Sequence, residues 1–207
     1  MARSRTSTFV PLLIVLGVIA VLSPQLIGKV GGLFGDSEPT LIGTGETAFL
    51  VGSDGESEAE RCDADELLRN RRCDKLKVVV IDAAKMPFIA RNIKLAWTDG
   101  KPAVLTRNST KRATNRAAAC GGFVAKYPRG SCDEYAFATT EQGGAGARTE
   151  EVPLREQRCQ GGAVNAGYVR ANIQQGEDFL VVIWSPSDIA GSAFTGDDAA
   201  KDQSCDG

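Results

Sequence analysis

The stretch CDEYAFATT at residues 132–140, with a Gly-Gly pair at 143–144, constrains this chain more than any other part of it. Two adjacent carboxylates, Asp133 and Glu134, stand between a cysteine and the aromatic residues Tyr135 and Phe137. Neighbouring side chains on an extended strand point to opposite sides, whereas those on a turn or bulge can converge. A carboxylate that is partly buried needs a cation or a proton. The motif therefore predicts either a site built on two carboxylates or a solvated surface turn.

The segment around this motif is basic, although the whole chain has a formal net charge of −2. Between residues 75 and 140, twelve lysines and arginines stand against four acidic residues, which gives a net charge of +8. Acidic residues are concentrated at 36–74 and in the C-terminal tail. A basic body suits a polyanionic partner, and a solvated basic face without a partner is the alternative.

The chain contains no histidine. This absence excludes Ser-His-Asp and Cys-His catalysis as well as zinc sites built on histidine. Acid–base or metal chemistry must instead use carboxylates, amides, water and hard cations.

The first 27 residues have the pattern of an export signal or a membrane anchor. Arg3 and Arg5 precede an apolar run that extends from Phe9 to Ile27. This run is about long enough to span a bilayer, and no clear small-x-small cleavage site follows it. The two alternatives are nearly balanced, with the uncleaved anchor slightly favoured. The arginines predict that the rest of the chain lies outside the cytoplasm.

Composition divides the remainder into three parts. Residues 28–74 are rich in Gly, Ser and acidic residues and predict a flexible acidic linker. Residues 75–186 are expected to form the folded domain, and residues 187–207 a polar acidic tail. All six cysteines follow the apolar run, and an even number in an exported chain indicates disulfides. We predict the pairs Cys62–Cys73, Cys120–Cys132 and Cys159–Cys205.

Periodicity within residues 75–186 predicts short strands and helices without regular alternation, which is typical of an α+β fold. Apolar runs at 78–81, 104–105 and 179–184 predict strands, and a weaker one is expected at 150–153. Pro87 opens an apolar helical stripe that should end near Gly100. Thr110 is expected to cap a second helix, and Gln160 with its two following glycines to lead into a third.

With its flanks included, the stretch SCDEYAFATT at 131–140 closely resembles the Cys-Asp-Glu-Tyr-Pro-Phe-Ala-Ser-Thr signature of NucA/NucB-type deoxyribonucleases. The similarity runs in order from about Leu76 to Trp184. Ala136 stands where that family has proline, and Gln157 where it usually has asparagine. The matching segments are 89–94, 100–102, 115–120, 156–157 and 160–162, together with Tyr168, Asn172 and Gly176.

The resemblance implies a secreted or membrane-associated endonuclease with a ββα-metal-like centre. Such an enzyme would hydrolyse phosphodiester bonds in DNA with little sequence specificity, and the sequence leaves RNA open as a substrate. Carried over from the family, Asp133 would be the general base that activates water. Glu134 would order the site or bind the metal, and Gln157 would supply the orienting amide.

The cofactor implied is Mg²⁺ or Mn²⁺. Its ligands would be Glu134 and Asn172, with Asn165 as the second choice for the last ligand. Basic residues near the motif would hold the phosphate groups, and those we select are Arg116, Arg129 and Lys126.

Two other functions are compatible with the sequence. A non-catalytic exported DNA-binding module, for example in DNA uptake, would share the basic segment, and Gln157 in place of asparagine leaves room for it. A disulfide-rich wall or matrix protein would show no salt-sensitive affinity for DNA. Magnesium-dependent nicking of DNA distinguishes the enzyme from both.

Overall fold

The computed structural model describes residues 38–205. The eight strands in this range are β1 (Thr40–Ile42), β2 (Phe49–Val51), β3 (Arg72–Cys73), β4 (Leu76–Asp82), β5 (Val104–Thr106), β6 (Gly130–Tyr135), β7 (Arg148–Pro153) and β8 (Asp178–Trp184). The five α-helices in the same range are α1 (Glu56–Ala59), α2 (Ala64–Asn70), α3 (Pro87–Thr98), α4 (Arg112–Cys120) and α5 (Leu154–Arg170). The α+β fold expected from the sequence is confirmed.

Two sheets organise these elements. The larger sheet has the order β1-β2-β8-β4-β3, and β5 also pairs with β8. Its centre is the parallel pair β4 and β8, whose apolar runs are buried throughout Val181–Ile183 and at Val78 and Val79. The smaller sheet is the antiparallel hairpin of β6 and β7, in which Asp133 lies opposite Glu150. Helix α5 follows this hairpin directly, so that β6, β7 and α5 form a strand–strand–helix unit.

Helices α3 and α5 connect the two sheets. Helix α3 begins at Pro87 and buries Ile89, Ile93 and Trp97, as its apolar stripe predicts. It packs against the β6–β7 hairpin, where the Trp97 indole donates a hydrogen bond of 3.0 Å to the Tyr135 hydroxyl. Helix α5 packs on β4 through Gly167, where a Cβ atom would lie 3.1 Å from Val79. The glycine therefore lets the helix approach the sheet closely.

The flexible linker expected at residues 28–74 is corrected for the part that the structure describes. Strand β2 pairs with β8 in the large sheet, and Phe49 and Val51 are buried. Leu67 of α2 is also buried. The folded domain therefore includes residues 40–74 and does not begin at residue 75. Three-residue strands separated by glycines and acidic residues are too short to show a period, which explains the error.

The tail at 187–207 is polar in composition, but its described part is packed against the domain. Phe194 is buried and its ring makes edge-on contacts with Phe88 and Tyr127, at centroid distances of 5.5 and 5.7 Å. Asp198 forms an ion pair with Arg155 of α5 at 2.5 Å. The tail is therefore held to the domain by its own side chains and not through Cys205 alone.

Two helix starts also differ from the sequence expectation. Helix α5 begins at Leu154, and Gln160 lies within it instead of preceding it. The glycines at 161 and 162 are tolerated there because a Cβ atom at either position would meet nothing within 4 Å. In the turn before α4, the Asn108 side chain accepts the Thr110 backbone N–H, so Asn108 is the capping residue.

Among residues 38–205, no helix has both the length and the apolar composition needed to cross a bilayer. The predicted signal or anchor at residues 1–27 lies outside the described residues.

The three predicted cysteine pairs, Cys62–Cys73, Cys120–Cys132 and Cys159–Cys205, are confirmed. Their Cα–Cα distances are 4.7, 6.0 and 4.8 Å, in that order. The first pair closes a short local loop, whereas Cys159–Cys205 spans 46 residues and joins the tail to α5.

We predict that the Cys159→Ser/Cys205→Ser variant loses about 4 kcal/mol of unfolding free energy, because a long closed loop restricts the unfolded chain most. The matched variant Cys62→Ser/Cys73→Ser, with a separation of 11 residues, should lose about 3 kcal/mol. Urea unfolding of the two variants and the wild type measures both values. An unchanged unfolding midpoint for the first variant would contradict this account of the tail.

Candidate active site

Asp133 lies on β6 and is fully buried. Its Oδ2 accepts a hydrogen bond of 2.8 Å from Asn92 Nδ2 on α3. The other oxygen, Oδ1, has no hydrogen-bond partner of good geometry among residues 38–205, although the Gln160 side chain lies close by. Burial raises the pKa of Asp133 to about 6, and the contacts with Asn92 and Gln160 oppose that shift.

The Asn92 amide that contacts Asp133 is itself held in one orientation. Its Oδ1 accepts a hydrogen bond from Arg148, whose Nη1 also lies 2.8 Å from Glu150 on β7. Because the Asn92 oxygen is engaged by arginine, its nitrogen must face the carboxylate. This chain of contacts fixes Asp133 Oδ2 and leaves Oδ1 for another group.

Glu134, the next residue on β6, is 5% exposed and forms an ion pair with Arg116 of α4. Arg116 also donates a 2.8 Å hydrogen bond to the Cys132 backbone carbonyl. Burial raises the pKa of Glu134 to about 7, with Arg116 opposing the shift and Asp133 adding to it. Two neighbouring carboxylates with raised pKa values are typical of functional sites.

A cleft of about 910 Å³ opens beside these carboxylates. Glu134 lies on its wall, whereas Asp133 is fully buried and contacts Gln160, which also lines the cleft. Four arginines line it, and they are Arg107, Arg112, Arg116 and Arg158. Its neutral polar lining consists of Ser109, Thr139, Gln157, Gln160, Asn165 and Tyr168. The cleft therefore offers mainly cations and hydrogen-bonding groups to a ligand.

Four of the residues selected from the sequence are brought together. Glu134, Gln157 and Arg116 line the cleft, and Asp133 lies beside it. The second-choice ligand Asn165 also lines it.

Three other selected residues lie elsewhere. Asn172 is exposed in a turn after α5 with φ +51°, and its Oδ1 accepts a hydrogen bond of 2.6 Å from Gln174. The Lys126 ammonium stacks on the Tyr127 ring at 5.2 Å. Arg129 has φ +61°, and its carbonyl accepts the Leu154 N–H at the start of α5. None of these three residues is part of the cleft lining in the described structure.

Arg107, Arg112 and Arg158 line the cleft but are not among the site residues selected from the sequence, and neither is Asn92. Arg112 and Arg116 are four residues apart on α4, a spacing that places both on one helix face and could have identified the pair. Arg107 is held by hydrogen bonds to Ser109 and to the Ile173 carbonyl, and its guanidinium stacks 4.5 Å from the Tyr168 ring. No sequence signal places Asn92 beside Asp133.

Glu156 is buried, and it binds the N-terminus of α3 and does not line the cleft. Its Oε2 accepts the backbone N–H groups of Phe88 and Ile89 at 2.9 and 3.0 Å. A carboxylate at the first turn of a helix satisfies N–H groups that have no partner within the helix. Burial raises the pKa of Glu156 to about 8. We assign this residue to the folding of the α3–α5 junction.

The donor atoms at the site fit a hard divalent cation. Gln157 Oε1 is a buried oxygen without a hydrogen-bond partner among residues 38–205, and the Asn165 side chain lines the cleft. Glu134 adds a carboxylate on the cleft wall. Carboxylate and amide oxygens are the ligands that Mg²⁺ and Mn²⁺ prefer.

Buried carboxylates beside a cleft lined by arginines form an arrangement that suits a phosphate-rich polyanion. Residues 90–182 match the family model described as Deoxyribonuclease NucA/NucB. This match supports a NucA/NucB-type deoxyribonuclease domain, and with it a nuclease hydrolase; the matched range includes both carboxylates and all the residues that line the cleft. A comparison with curated proteins gave no significant match.

Proposed function

We propose that the chain is an exported, metal-dependent endonuclease that hydrolyses phosphodiester bonds in DNA with little sequence specificity. The observation that carries the proposal is Asp133, a buried carboxylate with one unpaired oxygen beside a cleft lined by four arginines. The deoxyribonuclease family match over residues 90–182 supports DNA as the substrate. The strand–strand–helix unit of β6, β7 and α5 is the arrangement expected of a ββα-metal centre.

Asp133 acts as the general base in this mechanism. A pKa of about 6 leaves the carboxylate ionised at neutral pH yet more basic than an exposed aspartate. Asn92 holds Oδ2, so Oδ1 is the atom that takes the proton from the attacking water. Gln160 contacts Asp133 and also lines the cleft, so it would orient that water together with its hydrogen-bond partner Gln157.

A Mg²⁺ or Mn²⁺ ion would be held by Glu134, Gln157 and Asn165, with Asn165 replacing Asn172 as the last ligand. When bound, such an ion polarises a phosphoryl oxygen and stabilises the charge that develops on it. The cleft arginines bind phosphate oxygens and fix the position of the strand. Because phosphates are the same at every base pair, this binding carries no sequence information.

Export is part of the proposal. Its support is the apolar run at 9–27 and the three disulfides, which persist in oxidising compartments. The protein would act outside the cytoplasm, either secreted or attached to the membrane through its N-terminal segment.

Plasmid DNA and a structured RNA, each incubated with the oxidised protein in Mg²⁺, Mn²⁺ or EDTA, provide the direct test. We expect DNA nicking that EDTA abolishes. Salt-sensitive DNA binding without cleavage in either metal would replace the enzyme with a DNA-binding module. Faster cleavage of RNA than of DNA would make RNA the preferred substrate and contradict the assignment of DNA.

The rate of DNA cleavage should rise with pH through about 6 and then level off. The reason is that Asp133 accepts a proton only when ionised, and burial raises its pKa to about 6. The measurement is kcat/KM between pH 4.5 and 8 at saturating metal. A rate that is already at its plateau at pH 4.5 would rule out a base with a raised pKa.

Arg112→Gln should weaken DNA binding and reduce the slope of log K against log salt by about 1, because one phosphate contact is lost. Arg112 is exposed on the cleft wall, and no ion pair holds it among the described residues. Arg129→Gln is the matched control, since Arg129 does not line the cleft. Equal loss in both variants would show that the general basic charge, and not the cleft, binds DNA.

A further inference from the structure

A cluster of cysteine and carboxylate side chains lies beside the candidate site. The ligand atoms of Cys120, Cys132 and Glu134 all lie within 4.8 Å of one another. Within residues 38–205, no other three Cys, Asp or Glu side chains are grouped closely enough to hold a metal ion. Cys120 Sγ is 3.5 Å from Glu134 Oε2. In the described fold the two cysteines form a disulfide between α4 and β6. The carboxylate on the cleft wall is thus a direct neighbour of this disulfide.

We propose that reduction of Cys120–Cys132 creates a Zn²⁺ site formed by Cys120, Cys132 and Glu134, and that zinc bound there withdraws Glu134 from the cleft. The regulatory effect of zinc on the cleft rests on the proposed function. The existence of the zinc site does not depend on that function. The reduced, zinc-bound chain is an inactive form, and oxidation of the two thiolates releases the ion.

The geometry suits tetrahedral zinc. Zn–S and Zn–O bonds of about 2.3 and 2.1 Å place sulfurs roughly 3.8 Å apart, and sulfur and oxygen roughly 3.6 Å apart. The Cys120–Glu134 separation of 3.5 Å already meets this requirement. The Cα atoms of the two cysteines are 6.0 Å apart, so rotation of the side chains alone can separate the sulfurs.

The backbone around the cluster is held by contacts other than the disulfide. Arg116 on α4 pairs with Glu134 and donates to the Cys132 carbonyl on β6. Asn115 of the same helix donates to the carbonyls of Ala138 and Thr140 at 3.0 and 2.9 Å. Because these bonds remain after reduction, α4 and β6 keep the three ligands close together.

Charge and access also favour the cation. Two thiolates and one carboxylate carry three negative charges, which Zn²⁺ and the Arg116 guanidinium neutralise. Thiolates are soft ligands that select zinc over Mg²⁺. Cys120 and Cys132 line an open groove of about 600 Å³, through which a reductant or an ion can reach them.

The redox step balances with a dithiol as the reductant. Two electrons from the dithiol break the Cys120–Cys132 bond and form two thiols, while the dithiol becomes a disulfide. Zn²⁺ binding then releases the two thiol protons. In a reducing compartment the chain would hold zinc. After export, exchange with a disulfide, which accepts the two electrons and becomes a dithiol, would reform Cys120–Cys132, release the ion and free Glu134 for the hard cation of the proposed reaction.

Cobalt(II) is a spectroscopic probe for this site. Titrated into the full chain under a phosphine reductant, one equivalent should produce a thiolate-to-cobalt charge-transfer band that Zn²⁺ then removes. The oxidised chain should show no band. Glu134→Gln should weaken Co²⁺ binding at least about tenfold, because a ligand is lost.

Cysteine variants assign the band. Cys120→Ser should abolish it, whereas Cys159→Ser/Cys205→Ser should retain it, because that pair belongs to no group of three ligands within the described residues. Zn²⁺ should also raise the thermal midpoint of the reduced chain and leave the oxidised one unchanged. Absence of the band in reduced wild type, its persistence in Cys120→Ser, or a reduced chain that stays unfolded in Zn²⁺ would each overturn the proposal.

These readouts are independent of nuclease activity. A cobalt band in a protein that never cleaves DNA would support the metal site and refute the proposed function. DNA cleavage by the oxidised protein without a band after reduction would do the opposite. If both hold, Zn²⁺ should inhibit cleavage by the reduced chain at concentrations that leave the oxidised chain active.

Discussion

Asp133→Asn is expected to lower the rate of DNA cleavage by about 10²–10⁴-fold and to leave DNA affinity almost unchanged. The variant keeps the shape of the side chain but removes the atom that accepts the proton from water. Affinity should persist because the arginines that line the cleft are untouched. Single-turnover cleavage of a labelled duplex gives the rate, and binding in Ca²⁺ or EDTA gives the affinity.

Asp197→Asn is the matched control, because Asp197 is exposed in the tail and the structure gives it no hydrogen bond or ion pair. It should cleave DNA at the wild-type rate. The unfolding midpoint of Asp133→Asn should not fall, since the change removes a buried charge whose pKa is raised. Cleavage by Asp133→Asn near the wild-type rate would exclude Asp133 as the general base. Glu134 would then be the candidate for that role.

Phe49→Ala should lower the free energy of unfolding by about 3–5 kcal/mol, the cost of removing a buried aromatic side chain. Phe49 lies on β2 opposite Trp184 of β8 and is 1% exposed. Urea unfolding of the full, oxidised chain, followed by tryptophan fluorescence, measures the loss. The effect tests whether the segment before residue 75 belongs to the folded domain.

Leu41→Ala is the comparison, because Leu41 lies on the adjacent strand β1 but is 57% exposed. Its substitution should cost less than about 1 kcal/mol. If Phe49→Ala lowered the free energy of unfolding as little as Leu41→Ala, the β1–β2 segment would contribute nothing to the core. The folded domain would then begin near residue 75.

The parts of the fold that the sequence predicts are those with a strong local signal. Strands β4 and β8 are uninterrupted apolar runs, and α3 has a proline start and a regular apolar stripe. Strands β1 and β2 lack such a signal, because each is only three residues long. Strand β2 is buried where it pairs with β8, and β1 joins the sheet through β2. Their order in the sheet is a tertiary property that composition does not encode.

The candidate site divides in the same way. The carboxylates of β6 could be predicted because they lie within one contiguous motif. The partners of Asp133 could not, since Asn92 and Gln160 come from helices on either side of that motif in the sequence and meet it only in the folded chain. Net charge identified a basic segment but gave no direction for each side chain. The sequence therefore predicts Arg129 and Lys126 as phosphate-binding residues, whereas the structure has Arg112 and Arg158 in the cleft lining.

The position of β8 in the large sheet has a consequence for how the chain is made. This strand is paired with β2, β4 and β5, yet it follows all three of them in the sequence. Until residue 184 has emerged, those three strands lack the neighbour that completes their hydrogen bonding, and the contacts to be formed are distant in sequence. The large sheet therefore cannot close before β8 has been synthesised, and its closure is a late step in the folding of this domain.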